Sequence, residues 1–266
     1  MVTVSSLTNQ GCGKVNEDCF FLSERRFGVF DGMTGLVPYR DSTGNTGGKI
    51  AAATACEIFN SQKDFLRCAE ESNRIIQERM LSAQTPIEKT QARWGTTVAV
   101  IEIQDTALEY CLLGDSFIIM SSNEDNKLLG KYNNHDKYLL RKIQRKRAQT
   151  ENPLTQFHRQ IVALRKEANR NYGVLNGDPR ALSFFQRGRI DLRGLHSVLI
   201  CSDGFCFPST YPSDELPIAE IVSTYRSSGL EGTINNIRTQ ERTDPALSIY
   251  PRYKIHDDAT AIAIEF

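Results

Sequence analysis

Four short acidic motifs stand at the ends of apolar runs in this 266-residue chain. Phe27-Gly28-Val29-Phe30-Asp31-Gly32 and Val198-Leu199-Ile200-Cys201-Ser202-Asp203-Gly204 share one design. In each, an apolar strand delivers a carboxylate to its carboxyl end, and the glycine after it lets backbone come close. Asn16-Glu17-Asp18 directly precedes the apolar run Cys19–Leu22, and Asp257-Asp258 precedes the terminal run Thr260–Phe266. Singly these are ordinary features, since Asp-Gly is a common turn and adjacent aspartates usually sit in solvated loops. Gathered at the ends of neighbouring strands, however, the carboxylates would repel one another, and burying them uncompensated would be costly. Hard divalent cations such as Mg²⁺ or Mn²⁺ resolve that conflict, because they prefer carboxylate, carbonyl and water oxygens.

Other metal and phosphate chemistries fit the composition less well. The seven cysteines are odd in number and fall mostly in apolar segments, which suits reduced, buried thiols better than a disulfide framework. None forms the close CxxC pair of a structural zinc site, and only four histidines are available. No cysteine opens a Gly- and Arg-bearing phosphate loop, so thiolate-based phosphate transfer is not indicated. With 32 basic and 32 acidic residues the net charge is zero, and no global field draws the chain to nucleic acid or an anionic membrane. No apolar stretch reaches the roughly 18 residues of a membrane span, and Met1 to Gln10 lacks a signal pattern. The expected compartment is the cytoplasm, and the expected oligomeric state is a monomer.

The elements that must carry these motifs follow from periodicity. Apolar runs rich in Val, Ile, Phe and Tyr predict strands over Val2–Leu7, Cys19–Leu22, Phe27–Phe30, Thr97–Ile103, Leu108–Leu113, Phe117–Ser121, Ser197–Cys201 and Thr260–Glu265. Turns as short as Gln104-Asp105-Thr106 and Gly114-Asp115-Ser116 join some neighbours, and only antiparallel pairing tolerates them. The class is therefore α+β with a largely antiparallel sheet. Alanine-rich Gly48–Phe59 reads as a helix, and Asp64–Leu81 as a second, with Phe65, Cys68, Ala69, Ser72, Ile75, Ile76 and Met80 on one stripe. Residues 131–170 hold eleven lysines and arginines against three acids, with apolar residues at helical spacing. They read as two amphipathic helices inserted between sheet segments, whose charges form a solvated face. Without a repeat or a long linker, the whole of 1–266 is expected to be one domain carrying this insertion.

The same residues resemble the metal-dependent type 2C serine/threonine protein phosphatases, especially short bacterial members. The match runs in family order through Asn16-Glu17-Asp18, Val29-Phe30-Asp31-Gly32-Met33-Thr34-Gly35, Gly95-Thr96-Thr97, Leu113-Gly114-Asp115-Ser116, Ser202-Asp203-Gly204 and Asp257-Asp258-Ala259-Thr260. The resemblance implies two packed antiparallel sheets flanked by helices, with a dinuclear Mn²⁺ or Mg²⁺ centre at one end. By motif position, Asp31 would bridge both ions, the Gly32 carbonyl would bind one, and Asp203 and Asp257 would bind the other. Glu17 would act through coordinated water, Asp18 would support the cluster, and Asp258 would stand behind the ligands. Asp115 would help fix a hairpin beside the site. Two cations about 3.5–4 Å apart would lower the pKa of a bridging water for in-line attack on phosphorus. The substrate implied is a protein carrying phosphoserine or phosphothreonine, the product of a serine/threonine kinase.

Three positions depart from the family pattern. Where the family usually carries a phosphate-gripping arginine, four residues before the glutamate, this chain has Gly13 with Lys14 beside it. Lys14 is the candidate for that role, as a point charge without the arginine fork. Met33 cannot protonate a leaving alkoxide, so water or another acid must. A third, weaker ion is bound in some members by an aspartate just before a histidine. Here Asn133-Asn134-His135-Asp136 places asparagine there, leaving Asp136 as a substitute ligand or as a surface residue of a polar loop. Two rival functions share the scaffold: a phosphatase of small molecules, and a silent member that binds a phosphorylated partner.

Overall fold

A computed structural model of the chain describes residues 2–61, 64–147 and 157–266. The period-two alternation of side-chain direction puts each central strand between two cores. In β6 (Val98–Ile103), Val98 and Val100 face a helical layer while Ala99 and Ile101 face a second sheet. In β12 (Ala259–Glu265), Ala261 and Ala263 face helices and Ile262 and Ile264 face the other sheet. Each aliphatic side chain buried this way contributes about 1.5–3 kcal/mol relative to exposure.

One five-stranded sheet runs in the order β1 (Thr3–Asn9), β12, β11 (Leu195–Cys201), β8 (Phe117–Ser122), β9 (Asn126–Leu129). The other runs β10 (Gln186–Asp191), β7 (Ala107–Leu113), β6, β3 (Arg26–Phe30), β2 (Cys19–Leu22). Every pairing in both is antiparallel. A two-stranded ladder of β4 (Gly32–Met33) and β5 (Gly95–Thr96) continues the chain beyond Asp31. Helices α1 (Gly47–Phe59) and α2 (Phe65–Ser82) cover the β6 side, begun by Thr46, which accepts from the Lys49 amide, and Asp64, which accepts from those of Leu66 and Arg67. On the β12 side lies α5 (Ile218–Arg242), which packs Ile221, Val222, Tyr225, Ile234 and Ile237 inward and kinks at Gly229, where φ is +66°. The layers are thus helix, sheet, sheet, helix, as expected.

Three details correct the sequence reading. Gly114-Asp115-Ser116 does not close a hairpin: it carries the chain from β7 in one sheet to β8 in the other. A link this short suffices because the sheets converge here, where Thr97 Oγ1 lies 2.5 Å from Ser116 Oγ. On α2 the buried stripe uses Asn73 rather than Ile75, because the Asn73 amide donates to the Asp178 carbonyl and accepts from the Asn176 and Gly177 amides. The strands β9 and β10 and the helix α5 were not anticipated. The first two are polar edge strands without an apolar run, as edges that avoid further pairing tend to be. The basic insertion forms α3 (Lys137–Arg147) and α4 (His158–Lys166), whereas 148–156 lies outside the described residues. Leu139, Ile143 and Phe157 pack these helices together with Ile161, Leu164 and Tyr253. Among the described residues no helix is long and apolar enough to cross a membrane.

Candidate metal centre

The acidic motifs meet at one end of the sandwich, held there by their backbones. Asp31 ends β3; its N–H donates to Thr97 Oγ1 (3.1 Å), and its carbonyl accepts from Thr97 N–H (3.0 Å) and Thr96 Oγ1 (2.9 Å). Gly95-Thr96-Thr97 therefore fixes the direction in which Asp31 leaves the sheet. A Cβ on Gly32 would stand 2.5 Å from the carbonyl oxygens of Glu17 and Gly48, and one on Gly204 would stand 2.0 Å from that of Asp258. These glycines admit the backbone of neighbouring motifs.

Side chains complete the stitching. Asp258 accepts from the Gly11 and Glu17 amides, both at 2.8 Å, and so joins the first acidic motif to the last. Ser202 Oγ donates to Asp18 Oδ2 (2.7 Å) and accepts from the Thr260 amide (2.9 Å), joining the first motif to β11 and β12. Thr34 Oγ1 donates to Glu17 Oε1 (2.5 Å) and accepts from Gly48 N–H (3.0 Å), which aims Glu17 across the start of α1.

What this assembly holds is negative charge without enough positive charge. Burial, and then the charges of Asp203, Asp18, Asp257 and Asp115, hold the Asp31 carboxyl well above the usual range. Burial, and then Asp257 and Asp115, do the same to Asp203, whose carboxyl lies within hydrogen-bonding reach of Asp31. Asp18 is pushed up to about 7, chiefly by burial, against the hydrogen bonds from Ser202 and Thr260. Two carboxyls in such contact share either a proton or a cation. One oxygen each of Asp18 and Asp203, Oδ1 in both, is buried with no hydrogen-bond partner.

Among the described residues, no three His, Cys, Asp or Glu side chains already converge in the geometry of a formed metal site. Mg²⁺ ligation requires oxygens at about 2.0–2.1 Å. The orphaned oxygens and the all-oxygen donor set fit a pair of hard divalent cations.

Asp31, Asp203, Asp257, Asp258, Glu17, Gly32 and Asp115 all line one cleft of about 640 Å³. Asp18 sits behind it, buried. Asp136 also faces the cleft, half-buried, rather than standing alone on a surface loop. His135 lies between two acids, Nδ1 3.4 Å from Asp115 Oδ2 and Nε2 3.4 Å from Asp136 Oδ1. Its ring stacks on Tyr172 with centroids 3.9 Å apart. Lys14 is exposed and is not among the residues that line the cleft. From α4, Ile161, Leu164 and Arg165 line the cleft as well. Sequence reasoning missed His135, Tyr172, Tyr253 and Lys254 as cleft residues. The one signal was Lys254, three residues before Asp257.

Scanned against models of known families the chain matches none, and no curated protein matches its sequence. Solved structures do match its fold. The Mycobacterium tuberculosis serine/threonine phosphatase PstP/Ppp superposes with a TM-score of 0.61 at 15% identity, covering 100% of this chain and 98% of that one. The catalytic domain of PstP in complex with two manganese ions gives 0.59 at 16% identity, covering 99% and 97%. Stp1 of Staphylococcus aureus, a serine/threonine phosphatase, gives 0.58 at 16% identity, covering 100% and 95%. The chain has the fold of these bacterial type 2C serine/threonine phosphatases over its full described length.

Proposed function

We propose that this protein is a divalent-metal-dependent phosphomonoesterase that removes phosphate from serine or threonine in proteins. The observation that carries the reading is the convergence of Asp31, Asp203 and Asp257 on one cleft with Asp18 buried behind it, the carboxyls of Asp18, Asp31 and Asp203 held above their usual range and one oxygen each of Asp18 and Asp203 orphaned. Natural chains retain such uncompensated carboxylates where a cation is to be held.

Asp31, the Gly32 carbonyl and Glu17 would hold one Mn²⁺ or Mg²⁺, and Asp203 and Asp257 with Asp31 the other. Bound there, the ions supply Lewis acidity toward a phosphoryl group and acidify water. The chain's own residues do the rest. Asp258 and Ser202 fix the motifs against one another, so the site needs little reorganisation when charge develops on the phosphoryl oxygens. Thr34 orients Glu17, and the wall of Ile161 and Leu164 keeps one side of the cleft apolar and partly excludes water.

The shape of the cleft favours a protein substrate. It continues past Asp203 and Asp257 into a second cleft of about 190 Å³ lined by Phe207, Pro212 and Leu216. A trough that runs past the acids on both sides suits an extended peptide better than a compact metabolite. The test is phosphate release from matched phosphoserine, phosphothreonine and phosphotyrosine peptides and small phosphate esters in Mn²⁺. Preference for the first two is expected, and faster turnover of a small ester would overturn the protein-substrate reading.

A further inference from the structure

Beside the acids stands a lysine that the metal ligation leaves without a role. Lys254 lines both clefts, and its Nζ lies 2.5 Å from Asp257 Oδ1. Its side chain keeps 45% of its surface open to solvent, so the ammonium meets Asp257 where an entering anion can still reach it.

Its position is fixed from both sides. Arg252, two residues earlier, donates to the Glu241, Asp244 and Tyr250 carbonyls at 2.7, 3.0 and 2.8 Å. Three residues later the Asp257 carbonyl accepts from Arg238 Nη2 at 2.6 Å. The segment from 252 to 257 is therefore pinned to α5 at each end, which fixes where the Lys254 side chain starts.

A phosphate dianion entering a nest of carboxylates needs donors beyond the ions themselves. Lys14 stands exposed outside the cleft, and Arg165 lines it from α4 without a contact to any of the acidic motifs among the ion pairs of the described residues. An ammonium has three N–H donors, of which Asp257 takes one, leaving two for a second anion. Lysine recognises phosphate as a point charge, without the planar fork of arginine.

We propose that Lys254 is the phosphate-binding side chain of this site, donating to a non-bridging phosphoryl oxygen while keeping its contact with Asp257. The inference rests on the phosphomonoesterase reading and supplies, from the loop before β12, a cation in the cleft that Lys14 does not line.

The test compares wild type, Lys254→Ala, Lys254→Arg and Lys14→Ala at saturating Mn²⁺. It reads kcat and KM on a phosphothreonine peptide, inorganic phosphate affinity by calorimetry, and Mn²⁺ affinity without phosphate. In Lys254→Ala both KM and the phosphate Kd should rise by about tenfold, the weight of one charge-assisted hydrogen bond. Lys254→Arg should restore most of the loss, and Mn²⁺ binding to Lys254→Ala should be no weaker than to wild type. A phosphate Kd within twofold of wild type in Lys254→Ala overturns the proposal. So does a rise seen in Lys14→Ala instead, or a loss traced wholly to weaker Mn²⁺ binding. If wild type binds phosphate yet hydrolyses no ester, the phosphatase reading fails while the calorimetric comparison still decides the role of Lys254. Wild type that binds no phosphate overturns both.

Discussion

The loop before β12 separates two buried groups of charges that obey opposite rules. On its α5 side, Asp244 is only 2% exposed, and it accepts from the amides of Ser248, Ile249 and Tyr250 at 2.9, 3.0 and 2.8 Å. Burial alone would raise its pKa, but the Tyr250, Ser248 and Ile249 amides outweigh that and hold it below the usual range. Nearby, Arg238 donates to Glu241 at 2.9 Å, and Glu241 also meets His256 Nδ1 at 2.7 Å. On the cleft side, Asp31 and Asp203 are surrounded chiefly by other acids and are held well above that range. Buried charge saturated with donors is scaffold, whereas buried charge facing like charge awaits a ligand.

The comparison breaks most visibly under substitution. Asp244→Ala leaves three buried amides without their acceptor and takes one anion from Arg252, so a loss of about 3–5 kcal/mol is expected, as when one partner of a buried pair is removed. Denaturant unfolding checks it, and a loss below about 1 kcal/mol would show that this network is not the scaffold it resembles. Asp31→Asn and Asp203→Asn should behave in reverse. Each should lower turnover by about a hundredfold or more, the scale of losing a group that stabilises transition-state charge. Each should also leave the chelator-treated protein at least as stable as wild type, because an amide removes repulsion. A chelated Asp203→Asn protein that melts earlier than wild type would mean the acids were paired after all.

The sequence made the scaffold's strands legible and left most of its charge partners hidden. Phe27–Phe30 and Ser197–Cys201 read as nearly continuous apolar runs because both faces are buried against different layers. The acids were visible because an Asp-Gly after an apolar strand marks a carboxylate at a strand end. In contrast, α5 carries polar residues through much of its length and a glycine at 229, which blurs its helical stripe. His135, Tyr172 and Lys254 reach the cleft from loops, where no periodicity constrains a side chain. The Gly114-Asp115-Ser116 link looked like a hairpin because a short turn constrains distance but not which sheet receives the next strand. Single-residue spacing cannot carry that information.

Proton linkage sharpens the contrast further. Asp18 has a folded pKa raised from 3.8 to about 7. Its contribution to stability is therefore fully present below about pH 3.8 and is lost as pH rises through about 7. Asp244, lowered, contributes stability above 3.8 that is lost as pH falls through its folded value. Chelated protein should thus melt earlier at pH 8 than at pH 5.5, and Mn²⁺ should remove most of the difference. Calorimetric melts at the two pH values test this, and Asp18→Asn should flatten the dependence.

The smallest effect is expected outside both networks. Lys14→Ala, at an exposed position away from the cleft, should leave kcat and KM within about twofold, as surface substitutions typically do. A KM raised tenfold would instead bring the segment before Glu17 into phosphate binding.

The claim that the acidic cluster is a cation site for phosphoester hydrolysis is tested most directly by one reconstitution. Phosphate release from a phosphothreonine peptide is followed in protein stripped by chelator and dialysed, before and after Mn²⁺ is returned. No turnover in the stripped protein and its recovery on adding Mn²⁺ are expected, whereas undiminished turnover after exhaustive chelation would contradict the account.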